Sequence, residues 1–132
     1  MREILFRGKR PATGEWVEGC LLSCDTIGYG TKTYIIPKEH MSVWLSKSLT
    51  YVCEVTPYTV GQYTGFKDKT GKMVFEGDIV KCEMLYDNGQ YPKYVTIVLP
   101  VVYADGSFKP LAKCEPGSIE VIGNIHNNPE LL

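Results

Sequence analysis

The sequence predicts a mostly β fold, between all-β and α+β, built from short antiparallel strands. Three observations support this prediction. The 132 residues include 13 glycines, 8 prolines and 9 tyrosines, a composition that favours turns and strands over helices. Apolar and polar residues alternate in short runs, which is typical of half-buried strands. Turn signals recur at intervals of about ten residues, as they do in all-β proteins.

The first part of the chain is expected to form an N-terminal β subdomain over residues 1–57. Its strands are expected in four short stretches: residues 3–7, 15–22, 33–36 and 51–55. Pro57 makes the end of the last strand the best candidate for a subdomain boundary. The segment 38–50 stays open between a short helix and irregular structure, because Ser, Thr and Val dilute its helical spacing.

Residues 58–81 organise a second subdomain, which is expected to cover residues 58–132. Two strands flank a polar loop in which Gly71 supplies a positive φ. Gly77 supplies the backbone freedom for a second sharp turn, before a strand that begins at Ile79. Two tight turns so close together suit a small closed barrel better than a flat sheet.

Further β-rich runs are expected after this centre. The run from Tyr94 to Val102 is broken by Pro100, and a proline there indicates an edge position or a bulge. Asp105-Gly106 has the composition of a tight turn. The cleanest alternation near the C-terminus covers residues 118–125.

Composition also limits the partners and the compartment. A net charge of −1 gives no global attraction to nucleic acid or to anionic membranes. No apolar run approaches the roughly 18 residues of a membrane span, and the N-terminus lacks a signal-peptide core. We therefore expect a cytoplasmic protein without membrane contact. Its five irregularly spaced cysteines are expected to be reduced.

Catalytic and metal-binding patterns are weak. Glu76 and Asp78 could act as paired acids, but Glu-Gly-Asp is a turn former and the structural interpretation is favoured. Cys20 and Cys24 form one close pair with no second pair, which disfavours zinc. No nucleophile motif, phosphate-binding loop or dinucleotide fingerprint is found. We expect no metal, no cofactor and no enzymatic activity. An enzyme would gain support only if a cleft brought a histidine near a cysteine or a carboxylate.

Basic and aromatic residues interleave around the central hairpin and form a candidate surface for nucleic acid or for a partner: Lys67, Lys69, Lys72, Lys81, Tyr63 and Phe66. Such interleaving can bind single-stranded nucleic acid on a small barrel. The alternative is a solvated hairpin tip whose lysines protect an edge from mispairing. Asp68 and the overall charge weaken the patch. The aromatic run from Tyr91 to Tyr103 is a second candidate interface, unless its side chains belong to the core.

Three separated motifs resemble the YopX-like family of phage and prophage proteins. YTVGQYTGFKDKTGK at 58–72, followed by FEGDIV, resembles the centre of the family. REILFRGK, followed by WVEG, resembles its start, and IEVIGNIHNNPELL at 119–132 resembles its end. The resemblance implies a mostly β fold with an SH3-like barrel in the second half, homo-oligomerisation and a phage or prophage origin. It implies no activity and no catalytic residues, because the family has no assigned function.

These observations together favour a non-catalytic protein-interaction or assembly module. Its partner would be a further copy or an unknown host or phage protein in the cytoplasm of the host cell. The alternative is a small β-barrel that binds nucleic acid through the lysine-rich hairpin at 67–72. The alternative is less favoured, because the chain carries almost no net charge.

Overall fold

The computed structural model describes residues 3–26, 28, 30–40, 52–87 and 89–132. These residues form antiparallel strands and short 3-10 turns, and none of them lies in an α-helix. The prediction of a mostly β fold is therefore confirmed. The chain divides into two compact units, Met1–Tyr63 and Thr64–Leu132.

The first unit contains strands in the order β4-β3-β2-β1-β5, where β5 runs on into the second unit. Their bounds are Phe6–Lys9 for β1, Trp16–Thr26 for β2, Gly30–Pro37 for β3, Cys53–Glu54 for β4 and Gly61–Lys67 for β5. The ambiguous segment 38–50 begins with a 3-10 turn at Lys38–His40, and its residues 41–50 lie outside the described residues.

The core of the first unit requires very close strand packing at one glycine. Leu5, Ile35 and Val55 are almost fully buried. Gly19 on β2 lies opposite Pro37 on β3. A Cβ atom at Gly19 would overlap the carbonyl oxygen of Ile36, so a larger residue cannot be accommodated without moving the backbone.

The second unit contains a three-stranded sheet in the order β11-β7-β8 and a separate hairpin, β9-β10. The bounds are Met73–Phe75 for β6, Asp78–Tyr86 for β7, Lys93–Pro100 for β8, Val102–Ala104 for β9, Ser107–Lys109 for β10 and Glu120–Asn124 for β11. One face of the sheet packs into a cluster of buried side chains: Val74, Val80, Cys82, Val101, Leu111, Cys114 and Ile119.

The expected turn chemistry is present in this unit. Gly71 has φ = 90° and Gly77 has φ = 92°, values that glycine adopts without steric cost. Asp105 (φ = 52°) and Gly106 (φ = 80°) form the tight turn between β9 and β10. Pro100 is the last residue of β8, which lies at one side of the sheet, as expected for an edge position.

The expected closed barrel is not found among the described strands, which form open sheets. The tight turns that suggested a barrel are present, but within the described residues β8 pairs only with β7. Barrel closure requires hydrogen bonds between the first and last strands, and turn residues alone do not specify that pairing. Two cysteines also differ from the expected reduced thiols, because a disulfide joins Cys82 to Cys114 across a Cα–Cα distance of 6.2 Å.

Candidate protein-interaction surface

The three-stranded sheet of the second unit has one buried face and one exposed face. Strands β7 and β8 pair over eight consecutive positions, and their side chains alternate between the two faces. Val80 and Cys82 point into the core. We call the opposite face the outer face, and the side chains that β7 and β8 contribute to it are all exposed: Lys81, Glu83, Leu85, Tyr94, Thr96 and Val98.

The hydrogen bonds of Glu83 show which backbone groups of β8 face away from the sheet. Its N–H donates to Ser118 Oγ (2.9 Å), and its carbonyl accepts from the N–H of Glu115 (2.9 Å). Both backbone groups of Glu83 therefore form their hydrogen bonds on the side of β7 that faces away from β8. Glu83 and Thr96 are thus a non-hydrogen-bonded pair of the β7–β8 ladder. The N–H and C=O of Thr96 therefore point to the open side of β8.

The same alternation places the backbone groups of Tyr94 and Val98 on that open side, because the strand has a period of two. The N–H of Val101 donates to the carbonyl of Asp78 (2.8 Å), which agrees with odd-numbered residues facing β7. Within the described part of the chain, no backbone hydrogen bond reaches the open side of β8. We call the three residues whose backbone groups face this open side the β8 edge: Tyr94, Thr96 and Val98.

The β8 edge is uncharged and partly aromatic. Tyr94 is 56% exposed and Val98 is 39% exposed, and the run from Tyr94 to Leu99 contains no charged residue. The negative charge of Glu115 and a hydrogen bond to its carboxylate raise the pKa of Tyr94, which places the phenol beside Glu115. The β8 edge thus combines an exposed aromatic ring with backbone groups that can pair with another strand.

The structure brings two of the six predicted basic and aromatic residues into one groove. Lys69 and Lys81 line a groove of about 430 Å³ together with Glu83 and Glu120. Lys69 Nζ lies 3.2 Å from Glu120 Oε2, and Glu120 is the register partner of Lys81. The two lysines are therefore interleaved with carboxylates, which reduces the positive potential in the groove.

The other four residues of that predicted surface do not line the groove. Lys67 and Lys72 are exposed on the hairpin between β5 and β6. Phe66 is 37% exposed, whereas Tyr63 is only 6% exposed. Burial, and to a smaller extent the charge of Glu3, raises the pKa of Tyr63. Its ring belongs to the packed interior and is not available for stacking on a nucleotide base.

Asp68 organises the hairpin loop, a role that was not predicted from the sequence. Its Oδ1 accepts hydrogen bonds from the Thr70 N–H (2.9 Å), the Thr70 hydroxyl (2.7 Å) and the Lys72 N–H (3.0 Å). Its Oδ2 accepts from the Val121 N–H (3.1 Å). Burial alone would raise the pKa of Asp68, but these hydrogen bonds outweigh it and lower the pKa to about 2. An Asp followed by a turn glycine was the available signal in the sequence.

The remaining candidate residues have structural surroundings. Asp78 is buried, and its Oδ2 accepts from the Phe75 N–H (2.8 Å), which confirms the turn interpretation of Glu76-Gly77-Asp78. The backbone N–H of His126 donates to Asn124 Oδ1 (3.0 Å) in the C-terminal turn. The side chain of His40 lies outside the part of the chain that the structure describes.

No three His, Cys, Asp or Glu residues cluster as metal ligands in the described ranges. No described helix is long and apolar enough to cross a membrane.

The first unit holds a cavity of about 690 Å³ with a charged lining. Much of this charge is already paired. Lys38 Nζ lies 2.8 Å from Glu18 Oε2, and Arg10 and Glu15 approach to 3.9 Å. The hydrogen bond and the charge of Glu18 raise the pKa of Lys38. The described residues that line this cavity are therefore held together in part by salt bridges.

Comparison with known proteins adds a family and a fold. A protein of Enterococcus faecalis, EF1440, whose crystal structure is known, aligns with 22% identity and a TM-score of 0.51, over 100% of this chain and 99% of that one. At this identity the likeness concerns the fold alone. A stretch of 49 residues is 37% identical to cytochrome b6 of Gloeobacter violaceus, and it spans 37% of this chain but only 23% of that protein. The family described as YopX protein matches residues 5–132. The chain therefore belongs to the YopX protein family.

Proposed function

We propose that this chain is a non-catalytic protein-interaction or assembly module of phage or prophage origin that acts in the host cytoplasm. We further propose that the β8 edge is its contact surface. The observation that carries the proposal is the row of outward backbone groups on Tyr94, Thr96 and Val98, which have no backbone partner within the described residues. An extended segment of a partner can add to such an edge as a further strand.

The outer face supports this role. Leu85 and Tyr94 are opposite each other in the register, and they are 53% and 56% exposed. Tyrosine is enriched at the energetic centres of protein–protein interfaces. A strand added at the β8 edge would place alternate side chains next to this pair, so backbone pairing and apolar contact would act together.

The geometry supports nucleic-acid binding less well. Lys69 is paired with Glu120, and Tyr63 is buried. Lys67 and Lys72 remain exposed on the hairpin and could provide phosphate contacts. Such contacts would weaken steeply with salt, whereas a backbone-paired strand with apolar side chains would not.

The test compares three forms of the protein as bait in lysates of cells that carry the phage genome. Thr96→Pro removes an outward N–H from the β8 edge without removing a hydrogen bond to β7. Thr96→Val keeps the N–H and serves as its control. The double variant Lys67→Glu, Lys72→Glu reverses two charges on the hairpin. Circular dichroism establishes that each variant is folded.

We expect one protein partner to be retained by wild type, Thr96→Val and the lysine variant at both about 0.1 M and about 1 M salt. Thr96→Pro should lose this partner. Retention by Thr96→Pro would contradict the assignment of the β8 edge. Nucleic acid recovered only at low salt, and lost with the lysine variant, would favour the nucleic-acid alternative.

A further inference from the structure

We infer that the β8 edge pairs with a second copy of itself, antiparallel, about a two-fold axis at Thr96. This inference rests on the proposed function and adds the identity of the partner and the register of the pairing. It follows from the positions of two prolines, from the match of donors to acceptors, and from the side chains that would face each other.

Two prolines limit the length of strand that can pair. Pro92 immediately precedes β8 and Pro100 is its last residue. Both occupy even positions, whose backbone groups face the open side of β8. Proline has no N–H, so neither can donate to an added strand. The donors of the edge are therefore confined to Tyr94, Thr96 and Val98, and Thr96 is at the centre of the interval.

A two-fold axis at Thr96 uses all of these donors. Thr96 of one copy lies opposite Thr96 of the other, and Tyr94 of each copy lies opposite Val98 of the other. Every outward N–H then meets an outward C=O. A shift by one pair position would set Tyr94 or Val98 opposite a proline, whose carbonyl can accept a hydrogen bond but whose nitrogen cannot donate one in return. The register centred on Thr96 is thus the one in which the three residues that carry outward donors pair only with one another.

The side chains are compatible with the same register. On the outer face, Thr–Thr and Tyr–Val pairs belong to the classes that stabilise neighbouring antiparallel strands. On the other face, Val95 lies opposite Ile97. The only charge on β8 is Lys93, which lies opposite Leu99. No like charges meet, as a self-complementary two-fold interface requires.

Charge reversal at the axis tests whether the partner is a second copy. Thr96→Lys places two lysines directly opposite each other only if the edge pairs with itself, and Thr96→Glu does the same with two carboxylates. Analytical ultracentrifugation of the full chain should show a dimer for wild type and for Thr96→Val. Each charged variant should dissociate at least about tenfold more readily, and an equimolar mixture of the two should recover the dimer.

A cysteine at the axis tests the register. In a chain with Cys20→Ser, Cys24→Ser and Cys53→Ser, Thr96→Cys should crosslink to a second copy under mild oxidation. The two Cα atoms of such a pair lie about 5.5 Å apart, within the range of a disulfide. Val98→Cys in the same chain is the matched control, and it should not crosslink because its register partner is Tyr94.

The outcomes separate this inference from the proposed function. A wild-type chain that stays monomeric at all concentrations overturns the second copy as partner, and the proposed function survives if Thr96→Pro still abolishes capture of another protein. A dimer that tolerates Thr96→Lys and Thr96→Pro overturns the β8 edge as the contact between copies. Capture of another protein that also tolerates Thr96→Pro overturns the β8 edge in the proposed function. Crosslinking of Val98→Cys but not of Thr96→Cys overturns the register.

Discussion

Replacing Asp68 by Asn tests how much a single buried carboxylate contributes to the second unit. Asp68 accepts hydrogen bonds from Thr70, Lys72 and Val121, and it is 7% exposed. An Asn amide can keep its oxygen toward Thr70 and Lys72. Its NH₂ group then faces the Val121 N–H, so a donor meets a donor. The variant loses both the negative charge and the link to β11.

The size of the effect follows from the pKa. Lowering the pKa of Asp68 from 3.8 to about 2 corresponds to about 2.5 kcal/mol of stabilisation of the charged form in the folded state. Partial access of solvent to the loop reduces this value, so we expect Asp68→Asn to lower the free energy of unfolding by about 2 kcal/mol at pH 7. Asp68→Ala leaves the same donors without an acceptor and should cost about 2–4 kcal/mol.

The pH dependence has a definite sign. Because the pKa of Asp68 is lower in the folded state, its stabilisation is complete above the unfolded pKa of 3.8. It is lost progressively as the pH falls through about 2. The free-energy difference between wild type and Asp68→Asn should therefore shrink by at least half between pH 7 and about pH 2.5.

Urea denaturation at the two pH values measures this difference, and amide hydrogen exchange of Val121 locates it. Asp105→Asn is the control, because the Asp105 side chain is 86% exposed and its contact with Lys109 (3.1 Å) is a surface ion pair. It should change the free energy of unfolding by less than about 0.5 kcal/mol. An Asp68→Asn penalty of equal size at both pH values would refute the role assigned to the charge.

Two further substitutions test the packing of each unit. Gly19→Ala should lower the free energy of unfolding by about 3 kcal/mol or more because its Cβ overlaps the Ile36 carbonyl, whereas Gly117→Ala has no atom within 4 Å of its Cβ and should be nearly neutral. Chemical denaturation measures the free energy of unfolding of both variants, and an equal loss in the two would contradict the steric argument. Ile119→Ala should cost about 2–4 kcal/mol because Ile119 is fully buried, and Val102→Ala, at a 47% exposed site, should cost under about 1 kcal/mol. A thermal unfolding experiment in which Val102→Ala is the less stable of the two variants would contradict the assignment of Ile119 to the core.

Sequence reasoning succeeded where the cause was local. The positive φ of Gly71 and Gly77 follows from turn chemistry, and the edge position of Pro100 follows from its missing N–H. Sequence reasoning failed where the burial of a side chain depends on which parts of the chain pack next to its strand. Tyr63 was predicted on an exposed surface because it lies near lysines along the chain, but its side chain is buried.

The sequence by itself determined the class of fold, the turns and the family, because alternation, glycine and proline act on the backbone within a few residues. Only the tertiary structure decided that Asp68 bonds to Val121, 53 residues away, and that Cys82 joins Cys114. It also decided which groups of β8 face outward, because that depends on the hydrogen bonds that Glu83 makes on the other side of β7. Such pairings are set by which strands become neighbours, and local conformational preferences do not specify them.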